Sequence, residues 1–203
     1  MKEKSKDLFE KKSKSWDMNS KRVQGAKAIS SAILNNINLD RSMKIMDLGA
    51  GTGLLSYFLS EHVGYITAVD NSPSMLEVFE EKSEEFACPT SILNVDFANE
   101  LLNETFDGIV SSMTIHHIEN TREMFHKLYT LLPKNGFIAL ADLDTETGDF
   151  HSDNEGVFHF GFNRRELDEY ARDAGFKEVE FFTANTIKKP HASYSVFLMK
   201  AIK

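Results

Sequence analysis

The chain has 203 residues, of which 41% are hydrophobic, and it carries a formal net charge of −8 at pH 7. This length predicts one α/β domain with a full core over residues 1–203, and the excess of acids makes nucleic acid, above all an extended duplex, an unlikely partner. The single cysteine, Cys88, excludes an internal disulfide, and no apolar run reaches the roughly 18 residues of a membrane span, so we expect a soluble cytoplasmic protein without a membrane partner.

Helices and strands alternate along the chain. Apolar residues at helical spacing and capping residues such as Ser72, Asn120 and Asn163 predict helices; these cover residues 20–37, 54–63, 72–86, 120–132 and 163–174. Runs of β-branched and aromatic residues predict strands; these cover residues 43–46, 65–70, 90–95, 106–112, 137–142, 179–184 and 194–202. We therefore expect an α/β fold, a doubly wound, mostly parallel seven-stranded sheet of Rossmann-like type with an antiparallel C-terminal strand.

Three glycines at alternate positions join the first strand to the following helix, in the sequence Asp47-Leu48-Gly49-Ala50-Gly51-Thr52-Gly53. Such a loop lets the backbone approach a ligand and presents N–H groups at a helix N-terminus. The dinucleotide pattern G-x-G-x-x-G would need glycine in place of Leu54, which disfavours a nicotinamide oxidoreductase without removing it as an alternative. Asp70 follows the second strand about 20 residues later, where an acid can accept hydrogen bonds from ribose hydroxyls.

The pattern Asp47-x-Gly49-x-Gly51-x-Gly53 resembles the first motif of the class I S-adenosylmethionine (SAM) dependent methyltransferases. The resemblance extends from residue 43 to the end of the fifth strand. It implies SAM as cofactor and S-adenosylhomocysteine as product, with an acid on the ribose, a second acid on the adenine amino group and strand 4 facing the ammonium. The positions that it assigns to the cofactor are Asp47, Gly49, Gly51, Gly53, Asp70, Asn71, Met75, Asp96, Phe97, Ser111 and Ser112.

The resemblance implies transfer of the methyl group of SAM to an acceptor, which we expect to be a small molecule. A SAM-binding protein that does not methylate, either a sensor or an enzyme of other SAM chemistry, stays the alternative because the same residues would hold the cofactor. The acceptor and the oligomeric state are left open by the sequence.

Histidines are the candidate bases, since an imidazole with a pKa near 6.5 can take a proton at neutral pH. His151 and His159 lie in a long polar loop over residues 144–161, and His116 follows the fourth strand. We favour His159, because its neighbours Phe158 and Phe160 are expected to desolvate the ring. The pair formed by His116 and the next residue favours a structural role, and without a ligand spacing signature we expect no metal.

Two segments complete the expected site. The loop over residues 144–161 is long, polar and rich in aromatics, which is typical of a substrate loop or lid. Residues 1–40 form an N-terminal helical cap, in which Trp16-Asp17 is either a flap over the cofactor or packed against the sheet edge.

Overall fold

The computed structural model describes residue 7 and residues 9–203. Its strands are β1 Lys44–Leu48, β2 Tyr65–Asp70, β3 Thr90–Asn94, β4 Gly108–Ser112, β5 Phe137–Leu143, β6 Lys177–Lys188 and β7 Ser193–Ile202. They form one sheet in the order β3-β2-β1-β4-β5-β7-β6. The first five strands pair in parallel, and β7 runs antiparallel to both β5 and β6. The predicted seven-stranded, mostly parallel sheet with an antiparallel C-terminal strand is confirmed.

Five α-helices flank this sheet in the described part of the chain, and they are α1 Ser20–Asn36, α2 Leu54–Leu59, α3 Pro73–Glu81, α4 Thr121–Thr130 and α5 Arg164–Ala174. Side chains cap three of them where the sequence predicts it. Ser72, Asn120 and Asn163 each accept a hydrogen bond from a backbone N–H in the first turn of the helix that follows. These bonds satisfy N–H groups that have no partner within the helix.

Three predicted element ends are wrong by four residues or more, those of α2, α3 and β6. α3 ends at Glu81 instead of residue 86, and a 3₁₀ turn at Ser83–Glu85 follows it. α2 ends at Leu59 instead of residue 63, because the Ser60 hydroxyl donates to the Tyr57 carbonyl and accepts from the distant Ala87 N–H, which turns the chain. β6 runs to Lys188, beyond the predicted end at residue 184, because its polar stretch keeps pairing with β7. Neither contact is visible as a local sequence pattern.

The two faces of the sheet carry separate hydrophobic clusters. Phe125 of α4 and Leu167 of α5 pack with Ile138 of β5 on one face, while Ile29 and Ile33 of α1 pack on the other. Covering on both faces keeps the central strands buried and leaves their carboxyl ends as the rim where side chains and loops converge.

The N-terminal cap is described in part. A short 3₁₀ turn at Ser13–Ser15 precedes α1, whereas residues 1–6 and 8 of the predicted cap lie outside the described residues. The assignment of residues 1–203 to one domain stays a prediction. No helix among the described residues is long and apolar enough to cross a membrane.

Candidate active site

The glycine loop between β1 and α2 folds over the carboxyl end of β2. The backbone N–H groups of Gly49 and Ala50 donate to the Val69 carbonyl at 2.7 and 3.2 Å. The next backbone N–H, that of Gly51, donates to Oδ2 of Asp70 at 2.8 Å. The predicted glycine loop and the predicted acid are therefore in direct contact.

The three positions in the loop do not all require glycine for the same physical reason. All have positive φ, at 68°, 55° and 83° for Gly49, Gly51 and Gly53. A Cβ on Gly49 would stand 2.0 Å from Cγ2 of Thr114, and one on Gly53 would stand 2.6 Å from the Phe79 ring. A Cβ on Gly51 would meet no described atom within 4 Å. Packing requires the first and third glycines, whereas Gly51 borders open space that a ligand can enter.

The two acids next to the loop, Asp47 in β1 and Asp70 at the end of β2, have different surroundings. Asp47 is 1% exposed, and the Ser56 hydroxyl donates to its Oδ2 at 2.6 Å. Burial, together with the charge of Asp70, raises the pKa of Asp47 to about 7. Asp70 is half-buried; besides Gly51 it accepts from the Ser72 N–H at 2.8 Å, and burial raises its pKa. Asp47 thus lies behind the loop, while Asp70 lies beside Gly51, the glycine that borders open space, with further acceptor capacity on each oxygen.

The predicted adenine-side residues follow β2 and β3. Asn71 is exposed, and Met75 is buried in the first turn of α3. Asp96 accepts from the Asn99 amide at 2.8 Å, and its neighbour Phe97 is buried against the core. The other oxygen of Asp96 accepts from the Ala98 N–H at 3.1 Å, so both carboxylate oxygens bond within their own turn, and each keeps one lone pair for a ligand donor.

The end of β4 and the residues after it contact β1 and the glycine loop. The Ser111 hydroxyl donates to the Leu48 carbonyl at 2.7 Å. The Thr114 hydroxyl lies 3.2 Å from the carbonyl oxygens of both Gly49 and Ser112. Thr114 belongs to no sequence motif. Its side chain fits against the loop because Gly49 has no side chain of its own.

His116 and Asp142 form a buried pair on this rim. Nδ1 of His116 lies 2.8 Å from Oδ1 of Asp142, and the two side chains are 1% and 0% exposed. The carboxylate also accepts the backbone N–H groups of His116 and Leu143. For a neutral imidazole this arrangement selects the tautomer with the proton on Nδ1, facing the carboxylate, and the lone pair on Nε2. Nε2 of His116 has no hydrogen-bond partner among the described residues.

Two more imidazoles surround His116. Its ring centroid lies 4.2 Å from that of His117 and 4.9 Å from that of His151. Burial, with the neighbouring His116, lowers the pKa values of both, that of His151 to about 4. His117 bonds the Gly156 carbonyl through Nδ1 at 2.6 Å, whereas Nε2 of His151 is buried without a partner among the described residues. Of the three predicted catalytic histidines, the structure brings His116 and His151 together.

His159 lies apart from this histidine cluster, which we define as His116, His117 and His151. Its Nε2 is 3.0 Å from the Ile118 carbonyl and 3.1 Å from the Glu119 carbonyl, so that nitrogen carries a proton and donates. These contacts tie the ring to the start of α4.

The expectation that Phe158 and Phe160 desolvate His159 is wrong. Their side chains are 54% and 44% exposed, because alternate residues of an extended segment point to opposite sides. The His159 ring instead packs 5.0 Å from Phe162, beside a surface cavity of about 140 Å³ that Tyr170 also lines. The catalytic role of His159 stays a prediction.

The N-terminal segment lies over the glycine loop. Oδ1 of Asp17 accepts from the Thr52 hydroxyl at 2.6 Å, and its other oxygen pairs with Lys82, the residue directly after α3. Trp16 is half-buried and stacks on the Arg22 guanidinium, 3.6 Å from the ring centroid. The position of Asp17 is that of a flap over the loop, whereas its neighbour Trp16 packs on α1.

No group of three or more His, Cys, Asp or Glu side chains is arranged to hold a metal ion within the described residues. The expectation that the protein needs no metal stays a prediction. The open side of Gly51 and the free acceptor capacity of Asp70 fit a nucleotide-like cofactor held by backbone and ribose contacts.

Comparisons with known proteins agree with this geometry. Residues 45–136 match a family model described as a methyltransferase domain. An uncharacterised methyltransferase of Schizosaccharomyces pombe is 34% identical over 144 residues, which are 63% of this chain and 51% of that protein. The chain spans about half the length of this relative and of the mycobacterial methyltransferases that it also matches.

Two solved structures share the fold. A SAM-dependent methyltransferase of Thermotoga maritima, described as a possible histamine N-methyltransferase, has a TM-score of 0.71 at 20% identity and is covered to 97% by 96% of this chain. Phosphoethanolamine N-methyltransferase 2 of Haemonchus contortus, in complex with SAM, has a TM-score of 0.68 at 16% identity, over 94% of this chain and 59% of that one. Together with the glycine loop and the acid after β2, these matches show that the chain is similar to the class I SAM-dependent methyltransferases and shares their fold.

Proposed function

We propose that this protein transfers the methyl group of SAM to a small-molecule acceptor and releases S-adenosylhomocysteine. The open side of Gly51, next to the half-buried carboxylate of Asp70, carries this proposal. When bound, SAM supplies a methyl group that its sulfonium already activates. The chain's own residues then have to hold the cofactor, align the acceptor and exclude water.

The cofactor half of the site is assigned as follows. The backbone at Gly51 approaches the cofactor, and Asp70 accepts from the ribose hydroxyls. Asp96 and the backbone of Phe97 meet the adenine, with Asn71 and Met75 beside it. The loop is pre-organised for this task, because Asp70 already fixes the Gly51 amide.

The acceptor half is formed by the histidine cluster. Asp142 holds His116 in the tautomer whose Nε2 can take a proton, and that atom has no other described partner. The pKa of His151, near 4, keeps its ring neutral at pH 7. These features favour His116 as the base, with His151 beside the acceptor. The acceptor is then a hydroxyl or an amine that loses a proton as the methyl group arrives.

The loop over residues 144–161 excludes water from this half. The backbone N–H groups of Phe158 and His159 donate to the His116 carbonyl at 3.0 and 3.3 Å, and Gly156 accepts from His117. These bonds seat the loop on the histidine cluster. The neighbour named for phosphoethanolamine is consistent with a small acceptor.

The decisive experiment has two steps. Calorimetry first measures binding of SAM and S-adenosylhomocysteine. The protein is then incubated with methyl-labelled SAM and a metabolite extract, and mass spectrometry identifies the product that gains the label. Binding with a labelled product is expected. Binding with no labelled product across extracts would favour the non-methylating alternative, and tight NADH binding without SAM binding would revive the oxidoreductase.

A matched pair of variants tests the base. His116→Asn keeps a side-chain N–H near the Nδ1 position, facing Asp142, but removes Nε2. His159→Gln keeps a donor near the Nε2 position, facing the carbonyl of Ile118. Loss of a general base lowers kcat by about 10²–10⁴-fold, and we expect this only for His116→Asn, with SAM affinity near wild type in both. The reverse outcome would assign the base to His159.

A further inference from the structure

The β6–β7 hairpin reaches across the rim and holds the loop that carries His151. Lys189, at the start of the turn, donates from Nζ to the Phe150 carbonyl. Its ammonium also lies 4.2 Å from the centroid of the Phe150 ring. A hydrogen bond and a cation–π contact thus fix one residue from both its backbone and its side chain.

Tyr194, on the other arm of the hairpin, completes the contact. Its hydroxyl donates to Oδ1 of Asp149 at 2.8 Å, and its ring meets that of Phe150 edge-on at 5.1 Å. The Tyr194 side chain is 5% exposed, so its position is set by the core. We call Lys189 and Tyr194 the hairpin clamp.

The clamp connects to the histidine cluster through one aromatic ring. Phe150 packs edge-on against His151, with ring centroids 4.8 Å apart. His151 in turn lies 4.9 Å from His116. A displacement of Phe150 would therefore move the imidazole next to the buried Nε2 of His116.

We propose that Lys189 is a positioning residue for the acceptor half of the site, holding Phe150 so that His151 stands against His116. The inference rests on the proposed function only in that the histidine cluster faces the acceptor. The contacts themselves are independent of any ligand. They explain why a lysine at the tip of an exposed hairpin is half-buried and turned towards the loop.

The charge of Lys189 has a second effect on His151. Burial lowers the pKa of His151 most, and the neighbouring His116 and His117 lower it further. Asp142 raises this pKa, and the charge of Lys189 lowers it. Removing the ammonium releases the loop, which lets water reach the ring, and also removes a repulsive charge. Both changes raise the pKa of His151.

The test compares Lys189→Met with Lys188→Met in the protein without ligand. Lys188 is the exposed neighbour on the same strand end, so the control removes the same charge outside the clamp. NMR follows the imidazole resonances from about pH 3 to pH 8, and the spectrum of His151→Asn assigns the signal of His151. Limited proteolysis measures cleavage within residues 144–161.

We expect Lys189→Met to raise the pKa of His151 by about one unit and to speed cleavage about tenfold, with Lys188→Met at wild-type values. A wild-type pKa for His151 in folded Lys189→Met would overturn the proposal. Tyr194→Phe removes one hydroxyl from the same clamp and should speed cleavage in the same segment, which keeps the test open if Lys189→Met does not fold. None of these readouts needs a methyl donor or acceptor, so they fail or succeed separately from the proposed function.

Discussion

Gly51→Ala is the sharpest test of the cofactor side, because the structure separates its effect on folding from its effect on binding. The residue has φ of 55°, and an L-residue in this region costs about 1–2 kcal/mol. Its Cβ meets no described atom within 4 Å, so no packing penalty is added. For a protein of this size the melting temperature should fall by roughly 2–8 °C. The new methyl group would stand where the cofactor approaches, and we expect at least about a tenfold loss of S-adenosylhomocysteine affinity.

Two other glycines serve as controls for this variant. Gly49→Ala combines φ of 68° with a Cβ only 2.0 Å from Thr114, so overpacking should add about 1–3 kcal/mol of destabilisation. Gly175→Ala, at the end of α5 with φ of 106°, should lose stability without losing affinity. Thermal unfolding and calorimetry measure both quantities. Wild-type affinity in folded Gly51→Ala would show that the open side of the loop is not the ligand side.

Three further outcomes are expected. Asp70→Ala should weaken SAM binding by roughly 10- to 100-fold, the loss of charge-assisted hydrogen bonds of about 1.5–3 kcal/mol, and unchanged calorimetric affinity would make Asp70 only a strand-end acid. The pKa of Asp47 is raised to about 7, so its folded form holds a proton that the unfolded chain has released; this destabilisation is absent below about pH 4 and grows to about 4 kcal/mol near pH 7. Asp47→Asn still accepts from the Ser56 hydroxyl but cannot ionise, so its advantage in unfolding free energy over wild type should be larger at pH 8 than at pH 5 in urea unfolding. An equal advantage at both pH values would show that the pKa of Asp47 is not raised. Proteolytic cleavage within residues 144–161 should slow when S-adenosylhomocysteine and acceptor are both present, and an unchanged rate would identify a passive surface loop.

The glycine loop and Asp70, which form the proposed cofactor half of the site, could be located from the sequence because their signals are local. The glycine loop directly follows a hydrophobic strand, and Asp70 ends the next one. Strand ends are visible in sequence, and parallel strands bring their carboxyl ends to one rim. The helix caps at Ser72 and Asn120 are equally local, because each is set by a bond within one turn.

The proposed acceptor half depends on contacts between distant segments. His116 meets Asp142 only because β4 and β5 pair with Ser112 opposite Ala141, and that register comes from the whole sheet. The surroundings of His159 depend on a loop without periodicity, which is why flanking aromatic residues misled the expectation. The early end of α2 similarly depends on a bond between Ser60 and a residue 27 positions away.

The pairing of β1 with β4 has a consequence for how this protein folds. The hydrogen bond from Ser111 to Leu48 joins residues 63 positions apart, at the centre of the sheet. The chain must lose the entropy of closing a loop of that length before the contacts between the strands can stabilise it, so such pairings slow folding. The glycine loop and the histidine cluster lie on the two sides of this junction, and neither half faces the other until it forms. In refolding, the recovery of ligand binding should therefore lag behind the recovery of helical signal, and it should report the completion of the central strands.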